Sequence, residues 1–199
     1  MHKVHVEIRT LHDDERAAAG AVAARALADS PTSVWVYGDD RVGRLATNLD
    51  LFVGFVQTQP EPFGALLGAY VVGVCAVSPP GACIGHVVPA ELRVVPTEVG
   101  EVGDPSRAQF VWSLYCEHDL DERHWHLGPV GVEPGLQGCG IGSLLLTAFG
   151  ARMDADGDVA WLDTDKPENV VFYRRHGFDV ADEVSHHGLT TWWMRRDPH

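Results

Sequence analysis

Apolar and polar residues alternate from Val4 to Arg9, which predicts a strand. Asp13 and Asp14 stand where they can cap an alanine-rich helix that ends before Pro31. An aromatic-containing loop is expected over 30–40. A helix follows from about Asp40 to Thr58, with Leu45, Leu49, Phe52, Val53 and Val56 on or near one stripe. Phe63 to Val77 is rich in Gly and Val and reads as a strand hairpin stopped by Pro79-Pro80. Residues 81–105 have no period and predict a loop or short helix. Ser106 to His118 repeats Phe110, Val111, Leu114 and Tyr115 at helical spacing. Then come a strand over 124–132, a helix over 138–153, a strand over 158–164 and a helix over 167–176. Phe178–Val184 and Leu189–Arg195 form a closing hairpin. This order predicts one α/β domain over residues 1–199, with helices flanking a mixed, mostly antiparallel sheet.

The junction after the strand at 124–132 carries the candidate chemistry. An apolar run through Val130-Gly131-Val132 turns at Glu133-Pro134, and Gln137 opens the loop Gly138-Cys139-Gly140-Ile141-Gly142-Ser143 before an apolar helix. A glycine-rich helix N-terminus binds anions through backbone N–H groups and the helix dipole, without Lys or Arg. Two common phosphate loops are excluded. The nucleoside-triphosphate loop needs Gly-Lys followed by Ser or Thr, and the only lysines are Lys3 and Lys166. The dinucleotide fingerprint would need glycine where Ser143 stands. Plain close packing of a glycine-rich helix start is the other reading of the loop.

Gln137, Gly140 and Gly142 form Gln-x-x-Gly-x-Gly, which resembles the pyrophosphate loop of the GNAT superfamily of acetyl-CoA-dependent N-acetyltransferases. About 30 residues downstream, Asn169-Val170-Val171-Phe172-Tyr173 and Gly177-Phe178 resemble the same family's Asn-x-x-Phe-Tyr…Gly-Phe segment. Gly177 suits the C′ position of a short helix whose last turn carries Arg174, Arg175 and His176. Ala26–Pro31, His118, Trp125–Val132 and Thr191–Arg196 extend the resemblance toward the puromycin N-acetyltransferase subgroup. That likeness is strongest after about residue 118 and weak over 80–105.

The resemblance implies a central strand pair that splays so that the pantetheine arm lies between the strands. Pro129, between Gly128 and Gly131, suits irregular pairing there, as it would an edge strand or bulge. It implies acetyl-CoA or CoA as cofactor, held by Val130, Gly131 and Val132, by the loop Gln137, Gly138, Cys139, Gly140, Ile141, Gly142 and Ser143, and by Asn169 and Phe172. A backbone N–H near Val130 would face the developing oxyanion. Tyr173 stands in the family's thiolate-protonating position, with core packing as its other reading. Asn169 reads either as a cofactor ligand or as a helix cap. His118 is the candidate general base within a cluster with Glu117, His124 and His126; a solvated helix-end histidine and a water chain remain open. Residues 1–118 would form mainly the acceptor side and 119–199 the acetyl-CoA side.

Composition narrows the partners. A formal charge of −13 opposes nucleic-acid binding and suits a cationic amine, although an acidic surface also simply aids solubility. No apolar run approaches a membrane span, and the opening residues lack a signal-peptide core, so a cytoplasmic location is expected. Cys75, Cys83, Cys116 and Cys139 share no Cys-x-x-Cys spacing and read as free thiols. Eleven histidines show no His-x-x-x-His pair with a third ligand, so no metal is expected. His186 and His187, adjacent in a strand, should point apart. The acceptor pocket is expected to be acidic or aromatic, built from about 30–40, 80–118 and 185–193. Trp35, Tyr37 and Trp193 are its stacking candidates, unless they pack in the core.

The leading function is therefore acetyl transfer to a primary amine of a small cationic molecule, such as a puromycin-like antibiotic, by a monomer or homodimer. The alternatives are a protein N-terminal or lysine acetyltransferase and a non-catalytic acyl-CoA-binding regulatory module.

Overall fold

The computed structural model describes residues 5–89 and 93–199. The expected strand start at Val4 and part of the aperiodic 81–105 stretch lie outside the described residues. Among the described residues, seven strands form one sheet. Its strands are β1 (Val6–Thr10), β2 (Phe63–Leu67), β3 (Tyr70–Ser78), β4 (His124–Val132), β5 (Val159–Thr164), β6 (Asp179–His186) and β7 (Leu189–Arg196), in the order β1-β2-β3-β4-β5-β7-β6. All neighbouring pairs are antiparallel except β4–β5. The helices are α1 (Arg16–Leu27), α2 (Pro31–Tyr37), α3 (Arg41–Thr58), α4 (Ile84–Val87), α5 (Pro105–Glu117), α6 (Ile141–Asp156) and α7 (Pro167–Arg174).

Strand alternation sends residues to both faces. On one face α6 and α7 cover Cys75, Val77, Leu127, Ala160 and Leu162 with Leu145, Phe149, Met153 and Tyr173. On the other, α1 and α3 bury Ala19, Ala23 and Val56 against Leu66, Val74 and Ala76. Farther along that face α5 sets Leu114 over Trp161 and Trp193. Gly20 makes the α1–α3 contact possible: a Cβ there would lie 2.5 Å from the Val53 Cα. The same logic operates at Gly131, where a Cβ would stand 3.0 Å from the Ala23 Cα. So α1 packs directly on β4, the strand that carries the site.

Three expectations need correction. Residues 31–37 are helical, not a loop. Ser30 caps them by accepting from the Ser33 N–H at 3.1 Å, Pro31 presets the first turn, and Gly38 at φ 85° ends it. Asp13 and Asp14 do not cap α1. They lie in a 3-10 turn, where the Glu15 carboxylate instead accepts from the His12 N–H at 2.8 Å and is gripped by Arg9. His186 and His187 do not point apart, because His187 has left the strand. It sits at φ 47° in the two-residue β6–β7 turn, and both rings meet Trp35 and Phe110.

Candidate active site

The parallel β4–β5 pair joins only at its start, His124 to His126 against Val159 to Trp161. Beyond that point β4 remains on β3, with Val130 opposite Cys75 and Val132 opposite Gly73, while β5 remains on β7. The two strands diverge around Gly128-Pro129, and between them opens a cavity of about 560 Å³. His126, Pro129 and Val130 line it from β4, and Asp163, Thr164 and Asp165 from the end of β5.

On the α7 side, Asn169 and Tyr173 face the cavity. The Asn169 side-chain N–H donates to Thr164 Oγ1 at 3.0 Å, which ties α7 to the end of β5. Tyr173 is 8% exposed, and burial pushes its phenol well above the ordinary tyrosine range. A phenol in that state keeps its proton across the neutral range. Phe172 turns away, packing on His176 and standing 3.2 Å from where a Gly142 Cβ would be.

The glycine loop lies past the end of β4. A turn at Pro134–Leu136 leads to Gln137, whose side chain donates to the Val132 carbonyl at 3.2 Å. Gly138 and Gly140 hold φ 77° and 84°, a left-handed backbone that disfavours any residue with a side chain. Gly140 is the N-cap of α6, and no side chain caps that helix. The N–H groups of the first turn, Ile141 to Ser143, have no intrahelical acceptor by construction. They point outward from an exposed loop at the positive end of a 16-residue helix. Ser143 Oγ and His176 Nε2, 3.1 Å apart, fasten the loop to the chain beyond α7. Such a loop fits a pyrophosphate, because it presents donors and a dipole but no Cβ.

The expected base, His118, is elsewhere. It caps the end of α5, stacks on Trp193 at 5.1 Å and pairs with Asp182 of β6 at 3.1 Å, outside the cavity lining. His126 of the same sequence cluster is the histidine that reaches the cavity. Its Nδ1 is 3.4 Å from Asp119 and its Nε2 3.7 Å from Asp163. Burial alone would lower its pKa, but the two carboxylates outweigh burial and raise it to about 9. Tyr115 stands near Asp163 and Asp165, and burial, followed by these charges, keeps its hydroxyl well above the usual range. The spacing of 37 residues between His126 and Asp163 is a product of the sheet, not of any local motif.

The outer wall differs from expectation. Tyr37 lines the cavity, whereas Trp35 is stacked on His187 at 5.0 Å and Trp193 is fully buried in the core. The segment 185–193 contributes nothing to the lining. Instead α3 supplies Asn48, Leu51, Phe52 and Phe55, and α5 supplies Trp112 and Tyr115. Helix α2 is held over the opening by Asp165, which accepts from the Thr32 N–H at 2.8 Å. No disulfide forms among the described residues, and Cys139 is exposed in the loop. No helix among the described residues is long and apolar enough to cross a membrane.

Residues 106–180, from α5 to the start of β6, match the model of the acetyltransferase (GNAT) domain. The whole fold resembles a structure described as the histone acetyltransferase HPA2 and related acetyltransferase from Corynebacterium glutamicum. That match has a TM-score of 0.68 at 18% identity and covers 98% of this chain and 97% of the other. The ribosomal-protein-S18-alanine N-acetyltransferase of Escherichia coli aligns with a TM-score of 0.57 at 15% identity, over 97% and 94% of the two chains. A GNAT family acetyltransferase from Brucella melitensis in complex with acetyl-CoA aligns with a TM-score of 0.54 at 18% identity, over 97% and 88%. At such identities the structural likeness speaks for the fold, and the domain match speaks for the second half of the chain. The chain thus has the fold of these acetyltransferases, and over residues 106–180 it matches the acetyltransferase (GNAT) domain.

Proposed function

We propose that the protein uses acetyl-CoA to acetylate a primary amine of a small cationic molecule. The observation that carries this reading is the divergence of β4 from β5. It leaves one cavity bounded by Val130, Tyr173 and two carboxylates, next to an uncapped glycine loop. Residues 1–118 then supply mainly acceptor walls, and 119–199 mainly the acetyl-CoA side.

Acetyl-CoA supplies an activated acetyl thioester. Backbone N–H groups of Gln137 to Ser143 would hold its pyrophosphate, and Val130 to Val132 would run beside the pantetheine arm. A backbone N–H near Val130 would face the carbonyl oxygen as charge develops on it. As the amine nitrogen bonds to the carbonyl carbon and the C–S bond breaks, Tyr173 Oη would donate its proton to the departing thiolate. Asp163, positioned by Tyr115 and His126, would accept the proton that the amine loses. This assigns to Asp163 the task that the sequence suggested for His118.

Substrate class follows from size and charge. A cavity of about 560 Å³ with aromatic walls falls within the range of small-molecule sites, roughly 300–1,000 Å³. Asp163 and Asp165 favour an ammonium, and the overall charge of −13 would steer one inward. A flat aromatic amine of the puromycin type suits Tyr37 and Trp112, in keeping with the subgroup likeness in the sequence. The test is release of free thiol from acetyl-CoA over a panel of amines. Turnover of small cationic amines is expected. Turnover of peptides alone would favour a protein acetyltransferase, and tight CoA binding without turnover a regulatory module.

A further inference from the structure

Asp119 lies just beyond α5, in the turn toward β4, and its side chain is only 3% exposed. One carboxylate oxygen, Oδ1, is 2.9 Å from His124 Nε2 and 3.4 Å from His126 Nδ1. The other, Oδ2, is buried without a hydrogen-bond partner. A buried carboxylate oxygen with nothing to accept is costly, and its position asks for a cation.

Two residues of another segment stand around that oxygen. His86 Nδ1 is 3.6 Å from Oδ2, and Cys83 Sγ is 2.9 Å from His86 Nδ1. The three donor atoms all lie within 4.8 Å of one another. Gly85 lets the carboxylate come this close, because a Cβ there would be 2.2 Å from Oδ2. The turn Cys83-x-x-His86 therefore brings a thiol and an imidazole, 2.9 Å from each other, beside the unpartnered oxygen.

His124 supplies the support such a site needs. It is fully buried, and its two ring nitrogens lie 2.8 Å from the Glu122 carbonyl and 2.9 Å from Asp119 Oδ1, which fixes the ring between them. Its Nε2 faces Asp119 Oδ1 and orients the carboxylate, as outer-shell histidines and carboxylates orient ligands elsewhere.

We propose that Cys83 Sγ, His86 Nδ1 and Asp119 Oδ2 bind one zinc ion, with a water in the fourth position. A mixed thiolate, imidazole and carboxylate set suits zinc, at about 2.3 Å to sulfur and about 2.0–2.2 Å to nitrogen and oxygen. His86 is about a third exposed, which gives the ion its entry path and the water its place. Search for a His-x-x-x-His helix pair misses this set, because its ligands come from an aperiodic segment and a turn 33 residues later.

The ion would act as a clamp. Ala82, Val87 and Val88 line the acceptor cavity on either side of the Cys83–His86 turn, and His126, held by Asp119, lines it from β4. Zinc would fasten that wall to the strand that carries the site. It would take no part in the transfer itself.

The test uses the full-length protein, stripped with a chelator and titrated with cobalt(II), then with zinc. One cobalt per chain is expected, with a thiolate-to-cobalt charge-transfer band that zinc abolishes, and zinc should raise the melting temperature. Cys83→Ser should remove the band while circular dichroism stays unchanged; His86→Ala should weaken zinc binding. Cys139→Ser, whose thiol is in the glycine loop, should keep the band. Absence of a band in the folded wild type, or a band that survives in Cys83→Ser, would overturn the proposal. So would an unchanged melting temperature on adding zinc.

Discussion

The proposed cofactor loop and the proposed acceptor walls are built from different materials. The loop at 137–143 is made of backbone: two left-handed glycines and the open N–H groups of a helix start. The acceptor side is made of side chains drawn from α2, α3, the 82–88 turn, α5 and the end of β5. A backbone site needs glycine at fixed offsets within one short segment, so it leaves a motif. A side-chain site needs only that distant residues meet, so it leaves none. Tyr173 stands where the two sides join, and variants on each side should separate them.

The largest effect is expected at that junction. Tyr173→Phe removes one hydroxyl and keeps the ring packing against Phe172 and Phe178. If the phenol protonates the thiolate, single-turnover acetyl transfer should slow by about 10²–10⁴-fold, with the KM for acetyl-CoA nearly unchanged. Full single-turnover activity in Tyr173→Phe would make the residue structural and leave the thiolate to water.

Gly140→Val should strike the backbone side alone. Valine at φ 84° is strained by about 1–3 kcal/mol, and its side chain would stand where the pyrophosphate approaches. Calorimetry should find CoA binding lost in the folded variant, while a non-reacting acceptor analogue still binds. Unchanged CoA affinity would remove the loop from the cofactor site.

Asp163→Asn should strike the side-chain side. A charge-assisted hydrogen bond to an ammonium is worth about 1.5–3 kcal/mol, so the KM of a cationic acceptor should rise roughly 10- to 100-fold with CoA affinity unaltered. The rate should fall as well, since the variant cannot take the proton. His118→Ala, remote from the cavity and paired with Asp182, should leave both constants near wild type. A large loss of rate in His118→Ala with Asp163→Asn active would return the base to the position first read from the sequence.

These contrasts also mark what was legible in the chain. The sheet, α3, α5 and the glycine loop follow from periodicity and from the Gln137 and Asn169 segments, because each signal is local. Helix α2 was hidden, since seven residues show no helical period and only Ser30-Pro31 and Gly38 frame it. The proposed base moves from His118 to Asp163 for a physical reason. His118 and His126 are eight residues apart and chemically alike, and the turn at 119–123 sends one toward β6 and the other into the cavity. No pattern in a single segment encodes the Asp163 partner that distinguishes them. The stacking candidates separate in the same way, with Tyr37 at the cavity and Trp193 in the core, because that choice depends on what packs behind them.

The smallest expected effect tests whether the cofactor side is a unit independent of the cavity. Arg196 of β7 is almost fully buried and donates to Asp154 of α6 at 2.8 Å. That bond, with a second from the His199 backbone N–H, holds the Asp154 carboxyl down at about 2. Because the folded value lies below the unfolded one, about 3.8, the stabilisation is fully present above pH 4 and disappears as pH falls through about 2. Asp154 is about a third exposed, which leaves a modest contribution, about 1 kcal/mol. Chemical denaturation of Asp154→Asn at pH 7 should show that loss, and the difference from wild type should shrink toward nothing as pH falls below about 2. A difference that persists undiminished in acid would mean that asparagine disturbs packing, not charge. Acceptor KM should not move, because the pair fastens α6 to β7 on the far side of the sheet from the acceptor walls supplied by α3 and α5.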